Sequence, residues 1–329
     1  MPPFKVPGSR TGPRTGSIPA YDPKLRAGQL IQAKWDSLQG VPGVPKMAGD
    51  DGVIEIGDGF YREYANGRIY SQTDLGVFWV HGAIGARYAE LGGPSSWLGF
   101  PISDEAQFFD GLGSKFQNGA IYWWADTGAI DLGDIVVRYT GFYCFGETNE
   151  FSGADEPYVI LGVVPTIGQG ASLRTAISKD VDGGDSRPDN IELYRGLPYG
   201  LSVSALLMEH DLDDPDKYKE TIRVGVEKAS QGVGVAVSAI PYVGPFIAPV
   251  AAKLLDAIGS DIVNWFNDDI VGGPDDRIGM VSFVISPKDM VRLTRVEPQN
   301  FWGILWHLDS PLISDDHASY KVYVNIQRA

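Results

Sequence analysis

Tyr64-Ala65-Asn66-Gly67-Arg68-Ile69-Tyr70 recurs as Phe116-Gln117-Asn118-Gly119-Ala120-Ile121-Tyr122. The offset is 52 residues, and it also maps Asp58-Gly59 onto Asp110-Gly111 and Gly76 onto Gly128. Upstream, Ala33-Lys34-Trp35 and Leu38 map onto Ala86-Arg87-Tyr88 and Leu91 at an offset of 53. A match in register between uncommon residue types marks an internal repeat, and a repeat decides architecture before any single element does. Within each copy, aromatic and polar residues alternate as in short half-buried strands. Asn66-Gly67 and Asn118-Gly119 predict type I′ hairpin turns, which need positive φ at both central residues. Ile84, Tyr88 and Leu91 fall at helical spacing, predicting a short helix over 83–91 that Gly92-Gly93 ends. A unit of about 52 residues with so few aliphatics cannot bury its face alone, so the two copies are expected to pack on each other.

Gly82-Ala83-Ile84, Tyr88-Ala89-Glu90-Leu91-Gly92-Gly93, Trp97-Leu98-Gly99-Phe100-Pro101, Asp104-Glu105 and Phe116 to Trp123 together resemble the LGFP repeat family. Its tetrapeptide stands intact as Leu98 to Pro101. The first copy departs from the pattern, with Gly43-Val44-Pro45 as its nearest equivalent. The resemblance implies a secreted, cell-surface protein that engages cell-wall polysaccharide. The residues themselves are consistent with that. Flat aromatic faces beside Asn and Asp suit the C–H faces and hydroxyls of sugars. The candidate carbohydrate residues are Trp79, Trp97, Asn118, Tyr122, Trp123 and Trp124. Neighbours on a strand point to opposite faces, so one of Trp123 and Trp124 is expected in the core and the other at a surface.

The chain has 329 residues, a prior of about two domains. Net charge is −15, which disfavours a partner bound by phosphate neutralisation, so nucleic acid is not expected. Residues 1–40 are net +4, and residues 141–329 carry −12 of the total. Residues 1–27 read as a flexible basic leader, without a charged-then-apolar signal pattern. Residues 28–135 read as the two repeats, and 136–329 as an acidic antiparallel β-sandwich. Its expected strands are Ile135–Tyr139, Tyr158–Val164, Leu201–Met208, Gly279–Ile285 and Tyr320–Ile326. The fold class expected is therefore mainly β with some α: a repeat domain of hairpins and short helices, then a sandwich carrying a helical-hairpin insertion.

Acidic residues cluster between those strands. One cluster is Glu147, Glu150, Asp155 and Glu156; a second is Asp180, Asp182, Asp185 and Asp189. A third is split between Glu209 and Asp211 and Asp275 and Asp276. Calcium takes six to eight oxygen ligands, and acidic loops with glycine supply both charge and curvature. Leu206 to Asp211, with Asp275-Asp276-Arg277-Ile278-Gly279, resembles the third calcium loop of a C2-type sandwich. That resemblance implies calcium, with the first and third clusters as ligands. No EF-hand loop is present.

The insertion spans about 213–273. Tyr218 to Ser230 predicts a charged helix with Ile222, Val226 and Ala229 on one stripe. Residues 232–252 carry no charge, but Pro241, Pro245 and Pro249 oppose one straight membrane-spanning helix. Two helices fit better, the second over Pro249 to Phe266, packed on the sandwich or inserted into a lipid membrane. No nucleophile elbow, Walker loop, zinc-protease or dinucleotide motif is present. The single Cys144 excludes a multi-cysteine metal site or an intramolecular disulfide, and the four scattered histidines disfavour a His-rich zinc site, with His210 beside Glu209 and Asp211 as a further metal candidate. The sequence thus favours a non-enzymatic glycan-binding protein with a calcium-binding C2-like domain. A membrane-perturbing protein using residues 232–266 is the first alternative. A polysaccharide hydrolase using paired carboxylates is the second.

Overall fold

The computed structural model describes residues 22–47, 49, 52–147, 155–210, 215–238, 277–314 and 318–329. Helix α1 (Pro23–Ser37) starts where the Asp22 carboxylate accepts from the Lys24 and Leu25 amides. Its buried Ala27 and Ile31 cover one face of a four-stranded antiparallel meander: β1 (Val53–Ile56), β2 (Gly59–Tyr64), β3 (Gly67–Gln72) and β4 (Gly76–Val80). Helix α2 (Gly82–Glu90) follows, as the spacing predicted, and ends at Gly92 with φ +104°. The second meander is β5 (Ala106–Phe108), β6 (Gly111–Phe116), β7 (Gly119–Trp124) and β8 (Gly128–Leu132). Tyr70 and Val80 of the first unit share a core with Ile84, Tyr88, Leu98, Phe100, Phe116 and Ile121. The two units pack together, as their thin composition required.

The hairpin tips differ from the expected form. Tyr64 pairs with Gly67 and Phe116 with Gly119, so the two-residue loops are Ala65-Asn66 and Gln117-Asn118. Neither asparagine has positive φ, and the turns are not type I′. The cause is an outside clamp. The Asn66 amide donates to Pro42 O and its side chain to Val41 O; the Asn118 amide donates to Leu98 O and its side chain to Trp97 O. Pro45 bridges Tyr64, and Pro101 bridges Phe116. The Leu98–Pro101 tetrapeptide is therefore a strap across the tip of β6–β7. Gly43-Val44-Pro45 does the same for β2–β3. Tyr88 Oη donates to Gly99 O at 2.6 Å, and Trp35 Nε1 donates to Gly43 O at 2.8 Å.

Strand β7 faces two cores. Ile121 and half-buried Trp123 look into the core between the repeats. Ala120, Tyr122 and Trp124 look the other way, into the core of the sandwich. That core lies between two sheets. One is β11 (Ala171–Arg174), β10 (Pro157–Pro165), β13 (Leu201–Glu209) and β14 (Arg277–Ile285). The other is β12 (Ser186–Gly196), β9 (Ile135–Gly146), β19 (Ser319–Arg328) and β17 (Leu308–Asp309), with β18 (Ile313–Ser314) also on β19. All five expected strands are present. Strand β12 was not foreseen, because Pro188 and the acidic run around it read as a loop. It is an edge strand whose pairing with β9 shifts register after Pro188, a place where a strand tolerates proline.

Helix α3 (Pro215–Ser238) covers the outer face of β10, β11 and β13. Tyr158, Ile160, Val164, Leu206 and Met208 meet Tyr218, Ile222 and Val226, while Val159, Leu161 and Val163 face the sandwich core. Burial on both faces explains the unbroken apolar run of β10. A Cβ on Gly162 would stand 2.9 Å from the Val226 methyl, so glycine lets the helix approach. The stripe predicted on this helix thus packs on the sandwich. Among the described residues no helix is long and apolar enough to cross a membrane. The second expected helix, 249–266, lies outside the described residues, as does the leader up to residue 21. Helix α4 (Pro287–Leu293) and a hairpin, β15 (Gln299–Phe301) with β16 (Ile304–Trp306), complete the chain.

Candidate functional site: paired clefts on the repeats

A cleft of about 630 Å³ opens beside the first repeat's hairpin tip. Residues 63–68, Trp79 and His81 form one wall, and Gly85, Ala86 and Ala89 of α2 form the other. The small α2 residues leave the space. Trp79 sits on β4, and its indole stacks on the His81 ring with centroids 3.8 Å apart. Its Nε1 donates to Asn66 O at 2.9 Å, and its backbone amide donates to Asp104 Oδ1 at 2.8 Å. Asp104 also pairs with Lys34 of α1. The Trp79 backbone is thus held from the second repeat and its indole from the first. At the rim, Lys46 Nζ lies 2.8 Å and Arg68 Nη2 3.5 Å from Glu63 Oε1. The Lys46 hydrogen bond holds the Glu63 carboxyl below its ordinary range, with Arg68 adding to it. Behind His81, Glu105 lies 3.7 Å away; burial pushes its carboxyl up, and the histidine opposes that.

A second cleft of about 380 Å³ is the repeat-related counterpart. Lys115 to Ala120, Tyr122, Gly133 and Asp134 stand 52 residues after Glu63 to Arg68, Tyr70, His81 and Gly82. Its far wall is Leu197 and Tyr199 of the sandwich instead of α2. Lys115 Nζ lies 5.8 Å from the Tyr199 ring centroid, and burial pulls its pKa down. The position matching Trp79 is Asp131, and that matching His81 is Gly133, so only the first cleft carries a stacked aromatic pair. Counting the same offset through residues 79–82 would have revealed this asymmetry. His81, Lys46, Glu63 and Arg68 were not singled out from sequence because a lone residue of each type has no motif.

The structure separates the six candidate carbohydrate residues. Trp79 lines the first cleft, and Asn118 and Tyr122 line the second. Trp97 is 43% exposed and lies across Gly119, where a Cβ would meet its ring at 2.7 Å. The Asn118 side chain is committed to Trp97 O at 2.9 Å. Tyr122 and Trp124 are buried, and Trp124 Nε1 donates to Asp110 Oδ1 at 2.7 Å. Those two therefore offer no open ring face, because β7 turns them into the sandwich core. Trp124 is the core member of the tryptophan pair, and Trp123 is half-buried on the other face.

The described members of the three acidic clusters lie toward one end of the sandwich. Strand pairing places Gly146 by Ser319, Tyr143 by Ser186, Glu209 by Pro157 and Met208 by Arg277. Asp155 bridges Val181 by backbone hydrogen bonds and accepts from the Tyr320 hydroxyl. Glu209 Oε1 accepts from the Glu156 amide at 2.6 Å. Glu147 is half-buried at the end of β9. Glu150, Asp211, Asp275 and Asp276 lie outside the described residues. Among the described residues no group of three or more His, Cys, Asp or Glu side chains is arranged to hold a metal ion.

A search of curated proteins found no match. Among solved structures, a C2 domain of plant extended synaptotagmin 1 is similar over 60% of this chain and 96% of that chain, at 10% identity and a TM-score of 0.26. The family model described as the LGFP repeat matches residues 48–96 and 98–141. The second match begins at the tetrapeptide strap and runs into β9. Each match contains one four-stranded meander with its hairpin tip, so this chain carries two LGFP repeats, the second built into the core of the sandwich that follows.

Proposed function

We propose that this is a non-enzymatic, cell-surface protein that binds wall polysaccharide through its LGFP repeats, with the Trp79 cleft as the principal sugar site. The observation that carries the reading is the Trp79–His81 stack at the wall of the first repeat's cleft, rimmed by Lys46, Glu63 and Arg68. An indole held by its stack and its Nε1 hydrogen bond loses little freedom on binding, and the rim groups donate to and accept from hydroxyls. The family is generally found at cell surfaces, which supports that location. Glu209, which accepts from the Glu156 amide, and Asp155, which accepts from the Tyr320 hydroxyl, serve the fold in this reading, and the binding step needs no bond cleavage.

Retention of the full chain on insoluble cell-wall polysaccharide tests it. Trp79→Ala removes an aromatic contact of about 1 kcal/mol, so affinity falls about fivefold. A melting curve on the same sample separates lost binding from lost fold. Retention equal to wild type in a folded Trp79→Ala variant refutes the assignment.

A further inference from the structure

We infer that Trp302, at the tip of the β15–β16 hairpin, is a second sugar-stacking platform, on the sandwich and independent of the repeat clefts. The two-residue turn is Trp302-Gly303, with φ of +49° and +88°. Positive φ at both central residues marks a type I′ turn, whose first position favours asparagine, aspartate or glycine. A bulky side chain in that conformation is an outlier that persists only where the surroundings over-determine it, and such outliers concentrate at functional positions.

The surroundings do over-determine it. Ser186 Oγ donates to Trp302 O at 3.0 Å, and the Gly303 amide donates to Asn300 Oδ1 at 3.1 Å. Below the tip, the Phe301 ring packs 4.8 Å from Tyr143, and Trp306 packs 5.4 Å from Tyr323. Yet Trp302 itself is 71% exposed. A strained, rigidly held backbone presents a flat ring to solvent and uses little of its area for the fold.

The chemistry nearby selects the occupant. Ser186, which holds the tip, follows exposed Asp180 and Asp182 and then Asp185, the last paired with Arg187, at the acidic end of the sandwich. That charge repels anionic lipid and phosphate polymers. Carboxylates accept from hydroxyls, and an indole face matches the C–H face of a pyranose. A neutral polysaccharide satisfies both.

The turn preference supplies the test. Trp302→Asn puts a favoured residue into the type I′ slot, so it raises the melting midpoint while removing the platform. Trp302→Tyr keeps a flat ring in the same place. The full chain is run by affinity electrophoresis through gels containing dissolved galactomannan, β-glucan or arabinan. The expected result is retardation of wild type in at least one gel, weakened at least fivefold in Trp302→Asn and largely kept in Trp302→Tyr. Equal mobility of wild type and Trp302→Asn in every gel overturns the inference, as does equal loss in both variants. Trp302-dependent flotation with phosphatidylcholine vesicles, without retardation in the gels, also overturns it and makes the tip a lipid contact. Trp79→Ala run alongside keeps failure of the repeat cleft distinguishable, because it leaves the Trp302 contribution in place.

Discussion

Asp131 stands where Trp79 stands in the first repeat, and it has taken a different task. It is nearly buried at the end of β8 and accepts from Arg87 of α2 at 3.0 and 2.8 Å, with Arg328 of β19 at 3.6 Å. Burial alone would raise its pKa, but the Arg87 hydrogen bonds, reinforced by Arg328, bring it below the ordinary carboxylate value. A lowered carboxylate pKa contributes stability above the unfolded value of about 3.9, and that contribution is lost as pH falls through the folded value. Asp131→Asn therefore costs about 2 kcal/mol near neutral pH and flattens the acid side of the stability profile. Melting from pH 7 down to 3 measures both effects; parallel wild-type and variant curves would contradict the role. The sequence offers Asp131 only as one acid among many. Its partners come from positions 44 residues before it and 197 after it, a convergence that pattern reading cannot supply.

At the scale of elements, the tetrapeptide strap is the informative unit. Gly99 has φ +70° and Gly43 has φ +83°, so each strap turns through the left-handed region at the same place. A Cβ on Gly99 would meet Gln117 Oε1 at 2.5 Å, and that oxygen accepts from the Phe100 amide at 2.7 Å. Gly99→Ala is expected to cost about 1–2 kcal/mol through the left-handed backbone alone, with the displaced glutamine adding to it. Denaturant unfolding reads this directly, and a variant as stable as wild type would remove the strap from the account. The repeat, the α2 helix and the five sandwich strands were legible because each carries a local period. The turn type was not: Asn66-Gly67 and Asn118-Gly119 have the favoured dipeptide without the type I′ turn, because the strap takes hydrogen bonds from both asparagines. A two-residue hairpin turn with positive φ at both positions is instead Trp302-Gly303, where local preference argues against it.

For the whole molecule, the decisive fact is that β7 belongs to two cores. Tyr122 is fully buried among Phe108, Trp124 and the sandwich residues Val137, Val203 and Val324. The second repeat and the sandwich are therefore expected to unfold as one cooperative unit. Tyr122→Ala is expected to cost about 3–5 kcal/mol and to lower a single transition that includes the sandwich. Calorimetry with near-ultraviolet circular dichroism checks this; a separate, unaffected sandwich transition would show that the two parts are independent.

By itself the sequence determined the duplication, its family, the five long sandwich strands and the concentration of negative charge in the C-terminal part. Periodicity, repeat register and composition are properties of neighbours along the chain, so they need no fold to be visible. Tertiary structure decided which face of each strand is covered, and with it the fate of the aromatic residues. Trp79 keeps a cleft because α2 offers only small side chains there, Tyr122 and Trp124 are sealed because a second sheet lies over them, and Trp302 is left in solvent at the tip of a turn. Burial depends on what packs from distant parts of the chain, and that information is not carried by the residue or its neighbours.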